Sequence, residues 1–118
     1  MFELTEATKV FLFREACDMR KGFYKLAALA EDYRSTSVRE GGVFVFVSRR
    51  KDRVKLLYWH EDGYCLWYKR LEVGTFRIEE REGVDEITGV DLSLLLSGMS
   101  LRRILFRKNT AKVQPIAA

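Results

Sequence analysis

Three apolar runs follow one another between Val43 and Arg70, and the rest of the chain reads as packing around them. Val43-Phe44-Val45-Phe46-Val47, Val54-Lys55-Leu56-Leu57-Tyr58-Trp59 and Tyr64-Cys65-Leu66-Trp67-Tyr68 are rich in β-branched and aromatic residues and are bounded by charged or glycine-containing segments. That pattern predicts three consecutive antiparallel strands. Asp62-Gly63 suits the left-handed positions of a tight hairpin turn. A two-residue loop there sets Trp59 opposite Leu66 and Leu57 opposite Tyr68, whereas a three-residue loop including Glu61 shifts the pairing by one; the pattern leaves both open. Both faces of these strands are apolar, so the sheet needs cover on both sides.

Outside the three runs the periodicity changes. Lys9 to Phe13 forms a short apolar run that predicts a first strand ending at Arg14-Glu15. Asp18 offers an N-cap, and Met19, Phe23, Leu26, Ala27, Ala30 and Tyr33 recur at three- and four-residue spacing, which predicts one long amphipathic helix to about Arg34. This helix covers one sheet face; another chain is a candidate for the other, so a homodimer or a stable hetero-complex is expected. Thr75 to Glu79 alternates like an edge strand, and the acidic stretch Glu79 to Glu86 reads as a solvated loop. Val90 to Gly98 predicts a short C-terminal helix with Asp91 as N-cap and Gly98 as C-cap. Leu101 to Phe106 fits a further helical turn or a final strand, and residues 107–118 a basic, partly loose tail. The expectation is one α+β domain over residues 1–118: an antiparallel sheet of about four to six strands, one long helix and a short C-terminal one.

Charge sharpens this picture. The net charge of +4, from 21 Lys and Arg against 17 Asp and Glu, is modest, so clustering decides more than the total. Antiparallel pairing of the three strands gathers Arg49, Arg50, Lys51, Arg53, Lys55, Lys69 and Arg70 at one end of the sheet and Glu61 and Asp62 at the other. Cations at a sheet end, with Tyr58, Trp59, Trp67 and Tyr68 in the same strands, form a composition suited to phosphate contacts and base stacking. The aromatics are read as core; the cations fit either phosphate contact or a solvated turn. Arg20 and Lys21 stand at the predicted helix start, where the dipole disfavours cations, followed by Gly22. They fit an anion site, or else an Arg20–Asp18 pair with Gly22 allowing close packing.

Chemistry beyond binding is sparse. His60, the one histidine, sits at a turn; there is no phosphate-cradling glycine loop and no HExxH or GxSxG motif. No metal and no cofactor is expected, and no enzymatic activity. Cys17 and Cys65 are far apart in apolar surroundings and read as reduced core thiols. With no signal-like start and no apolar run approaching the ~20 residues that span a bilayer, the expected location is cytoplasmic, without membrane association.

The order and spacing of Asp18-Met19-Arg20-Lys21-Gly22-Phe23, Val43-Phe44-Val45-Phe46, Arg49 through Trp59, Asp62-Gly63, Tyr68-Lys69-Arg70-Leu71-Glu72, Gly74, Phe76 and Leu94-Leu95-Leu96-Ser97-Gly98 resemble a known pattern. Over about residues 10–100, the chain is similar to the small second-frame accessory protein, often labelled TnpB, of the bacterial insertion-sequence family sixty-six. It departs from that pattern at Arg77-Ile78-Glu79 and in the linker before Gly42. The resemblance implies a non-catalytic role in transposition beside a separate transposase. It also favours the functional reading of Arg20-Lys21-Gly22 and of the basic sheet end. DNA is then the expected partner, through Arg20, Lys21, Arg49, Arg50, Lys51, Arg53, Lys55, Lys69 and Arg70; the alternative is an adaptor that binds the transposase without touching DNA.

Overall fold

Strand β1 (Lys9–Ala16) lies inside a five-stranded sheet rather than at its margin, and this placement organises the computed structural model, which describes residues 3–112 and side chains through Lys108. After β1 come α1 (Phe23–Arg34), a short 3-10 turn (Val38–Glu40), β2 (Val43–Val47), β3 (Arg53–His60), β4 (Gly63–Arg70), β5 (Val84–Thr88), α2 (Gly89–Leu96) and α3 (Leu101–Lys112). The strand order is β4-β3-β2-β1-β5. β2, β3 and β4 form the expected antiparallel meander, but β1 pairs with β2 in parallel. The all-antiparallel expectation is therefore corrected to a mixed sheet. The reason is the helix: a strand that hands over to a crossover helix returns to its sheet in the parallel sense.

Alternation along the strands builds two cores. On one face Phe11, Phe44, Phe46 and Leu57 lie beneath Leu26, Ala27 and Ala30 of α1 and beneath Val38. The rings stack in pairs, Phe11 on Phe44 at 5.1 Å and Phe13 on Phe46 at 4.8 Å, and the small Ala27 and Ala30 let the helix settle on this thick layer. On the other face Val10, Leu12, Val43, Val45, Val54, Leu56 and Ile87 meet Leu92, Leu95, Leu101 and Ile104 of α2 and α3. The chain thus covers both faces itself, which removes the reason for expecting a second copy as the missing layer. Nor is α1 singularly long: α1 and α3 are 12 residues each.

Three further expectations change. Thr75 to Glu79 forms no strand; Phe76 and Ile78 nonetheless point into the second core, so their alternation reports burial without pairing. The fifth strand falls instead in the stretch read as an acidic loop, antiparallel to β1 with Val10 opposite Ile87. Its acids are accommodated because β5 is an edge, and Asp85 meets the buried Arg14 at 2.5 Å. The β3–β4 turn is a two-residue Glu61-Asp62 loop that sets Trp59 opposite Tyr64 and Leu57 opposite Leu66. Glu61, at φ 53, occupies the left-handed position that the sequence suggested for Gly63.

At the C-terminal side, α2 starts with Thr88 rather than Asp91 as N-cap. The Asp91 amide donates to Thr88 Oγ1 at 3.1 Å, and the Thr88 amide donates to Asp91 Oδ2 at 2.9 Å, a reciprocal capping box. Lys108 Nζ lies 3.1 Å from the same carboxylate and ties α3 to the start of α2. Leu101 begins a helix, so the alternative of a final strand is set aside, and helix continues through residues 107–112 of the expected tail; Pro115 and its neighbours lie outside the described residues.

Candidate nucleic-acid interface

β1 and β2 end, β3 begins and β4 ends on the same side of the sheet, and the loops there are tied together by their backbones. Ser48, 2% exposed, organises the β2–β3 turn: its amide donates to the Arg53 carbonyl at 3.0 Å, and its carbonyl accepts from the Lys51 amide at 3.0 Å. Its hydroxyl accepts from the Arg53 amide at 3.1 Å and donates to Asp52 Oδ1 at 3.2 Å. Lys51 takes φ 61 to close the turn. The segment after β4 is laced to it: the Leu71 amide donates to the Asp52 carbonyl and the Phe76 amide to the Lys51 carbonyl, both at 2.7 Å.

This scaffold presents Arg49 and Arg50 at the turn and Lys69 and Arg70 at the end of β4, all four exposed and without an acidic partner among the described residues. Arg53 stands directly opposite Arg70 in the ladder. Like charges so placed repel. Arg53 has only a loose contact to help it, Nε to Asp52 Oδ1 at 3.7 Å, and that Nε is buried without a hydrogen bond. Lys51 is half-buried and lies 3.7 Å from Glu80. A small groove of about 270 Å3 runs between this turn and the 16–19 loop, lined by Arg49 and Arg53 on one side and Cys17 and Asp18 on the other.

Lys55 is placed differently. It is 7% exposed, and its ammonium donates to the carbonyls of Met19 at 2.7 Å and Lys21 at 2.8 Å while lying 4.8 Å from the centre of the Tyr68 ring. Its charge holds the loop before α1 and is not presented to solvent.

That loop also corrects the predicted helix start. α1 begins at Phe23, with Gly22 as an extended N-cap, so Arg20 and Lys21 precede the helix and Gly22 does not interrupt it. Asp18 does not cap the helix but closes a local turn: Oδ1 accepts from the Arg20 amide at 2.9 Å. The Arg20 guanidinium folds back on the same carboxylate, Nη2 to Oδ2 at 2.6 Å, and holds its carboxyl well below the usual carboxylate range. Lys21 is half-buried with no acidic partner among the described residues, and no side chain caps the helix and no acid lies in its first turn. Burial pushes the neighbouring Cys17 thiol up despite Lys21 and Lys55 nearby, so it is not a poised nucleophile; both cysteines are free.

On the opposite face the same end carries cations that sequence reasoning missed. Arg77, Arg81 and Arg102 line a groove of about 500 Å3 together with Arg14, Lys51 and Glu79. The sequence pattern puts Arg77 and Arg81 in an edge strand and an acidic loop, and Arg102 in a further helical turn or a final strand, with nothing to bring the three together. The link is the Leu101 amide, which donates to the Arg77 carbonyl at 2.9 Å and brings the start of α3 to this end. No sequence signal marks that bond. Among the described residues, no three His, Cys, Asp or Glu side chains are grouped to hold a metal, and no helix is long and apolar enough to cross a membrane.

Comparison with known proteins gives a consistent picture. The family profile described as IS66 Orf2 like protein matches residues 8–105. The uncharacterized protein y4hO of Sinorhizobium fredii is 34% identical over 95 residues, covering 80% of this chain and 83% of its own length. The uncharacterized protein y4jC of the same organism is 29% identical over 97 residues, covering 81% and 83%. No solved structure matches the chain at a significant level.

Proposed function

We propose, from the premise that this chain belongs to the IS66 Orf2-like family and is an insertion-sequence accessory protein, that it serves transposition by binding DNA through the basic end of its sheet. It acts without catalysis, in the cytoplasm, beside the separate transposase of the same element. The observation that carries this reading is the cluster of Arg49, Arg50, Lys69 and Arg70, exposed and without acids to neutralise them among the described residues. An unpaired cation cluster on a rigid turn is suited to displacing counterions from phosphates. Lys21 and Arg53 flank it, Arg20 adds a charge partly offset by Asp18, and Lys51 shares its charge with Glu80. Lys55 supports the loop rather than the polyanion.

The test is binding to labelled element-end DNA and to unrelated DNA across a salt series, with and without the transposase. Changing Arg49, Arg50 and Arg70 to Ala should weaken binding similarly for all sequences and flatten the salt slope by about 0.9 per lost duplex phosphate contact. Unchanged DNA affinity with lost co-purification of the transposase would instead identify an adaptor surface, in which Arg forks meet acids on the partner. If neither interaction changes, the cluster is a solvated turn and the reading fails.

A further inference from the structure

β4 is an edge strand, and its α1-side face carries Tyr64, Leu66, Tyr68 and Arg70 at alternate positions. Along this face Tyr64 packs partly against the α1-side core, but Tyr68 does not. Tyr68 is 49% exposed although one side of its ring rests over the Lys55 ammonium. That ammonium is itself fixed by two carbonyls, so the ring is oriented from beneath and open to solvent beyond. Tyr24, on the first turn of α1, is 79% exposed and packs edge-on against Tyr64 at 5.9 Å, which in turn packs edge-on against Trp59 at 5.1 Å. At the basic end of the same face stand Arg70 and Arg53, two guanidinium groups opposed across the ladder.

A duplex keeps its bases inside the stack and offers this face only phosphates, leaving the rings unused. A single strand offers phosphates and base faces together, which is the combination the strip presents. We propose that the β4 strip binds single-stranded DNA, a base stacking on Tyr68, Tyr24 offering a second exposed ring against Tyr64, and the backbone phosphates meeting Arg70 and Arg53. This rests on the reading of the basic end as a DNA-binding surface and specifies the form of DNA it takes.

The experiment measures fluorescence anisotropy of a labelled oligothymidylate and of a duplex of the same length with the full chain, at matched salt. The wild-type protein should bind the single strand more tightly. Tyr68→Ala should weaken single-strand binding by about fivefold or more, as expected for loss of one stacking ring. The same change should leave duplex binding unaltered and the circular dichroism spectrum native, and Tyr68→Phe, which keeps the ring over Lys55, should bind and melt as the wild type. Equal single-strand affinity for Tyr68→Ala and wild type overturns the proposal. So does wild-type preference for duplex, though duplex binding that depends on Arg49, Arg50 and Arg70 would leave the broader DNA reading standing. Absence of binding to either form at low salt would end both.

Discussion

Burying an ammonium costs several kcal/mol, on the order of 3 or more, unless hydrogen bonds compensate it. At Lys55 the compensation is visible: two carbonyls and a ring surround a side chain that is 7% exposed. Lys55→Met keeps much of the stem but removes both bonds and leaves the Met19 and Lys21 carbonyls without this donor. Chemical denaturation followed by circular dichroism should show a loss of about 1–3 kcal/mol; an unchanged midpoint would show that water replaces the ammonium freely. Asp91 carries a pH dependence. Burial raises its pKa, but the Thr88 amide, Lys108 and the Thr88 hydroxyl outweigh burial and bring it below the ordinary value. A carboxylate depressed on folding contributes stability fully above its unfolded pKa of about 3.9 and loses it as pH falls through the folded value. Thermal melts of the wild type should therefore fall below about pH 4 more steeply than those of Asp91→Asn.

At the scale of elements, α2 depends on a contact that only glycine permits. A Cβ on Gly89 would stand 2.6 Å from the Thr5 carbonyl oxygen and 2.7 Å from the Thr5 amide nitrogen, backbone atoms with no flexible end to yield. Gly89→Ala should cost about 1–3 kcal/mol as overpacking, despite the better helix propensity of alanine, and a lowered melting temperature checks it. This also shows where sequence reading stopped. The meander was legible because its strands pair with their chain neighbours, and the turn cations Arg49 and Arg50 were placed correctly with it. β5 was not legible: Val84 to Thr88 carries two acids and pairs with a strand about seventy residues earlier, a partner no local pattern can indicate. Lys55 read as one cation among seven because period-two alternation cannot tell a lysine facing solvent from one facing a loop carbonyl. Tyr68 read as core because apolar character does not reveal that β4 is an edge.

For the whole molecule, both sheet faces are filled by the chain's own helices and by Phe76 and Ile78. The protein alone should therefore sediment as a monomer at micromolar concentration, and a stable dimer in velocity sedimentation would point to the open edge of β4 rather than to a missing layer. The position of β1 has a consequence in time as well as in space. Its neighbours, β2 and β5, both come later in the chain, and β5 comes after the entire meander. During synthesis β1 leaves the ribosome first yet stays unpaired until the α1 crossover returns the chain to β2, and its other edge stays bare until Val84–Thr88 emerges. A strand paired on both sides in the finished sheet is thus exposed longest in the growing one, and the acidic segment that closes it last acts as the sheet's final seal.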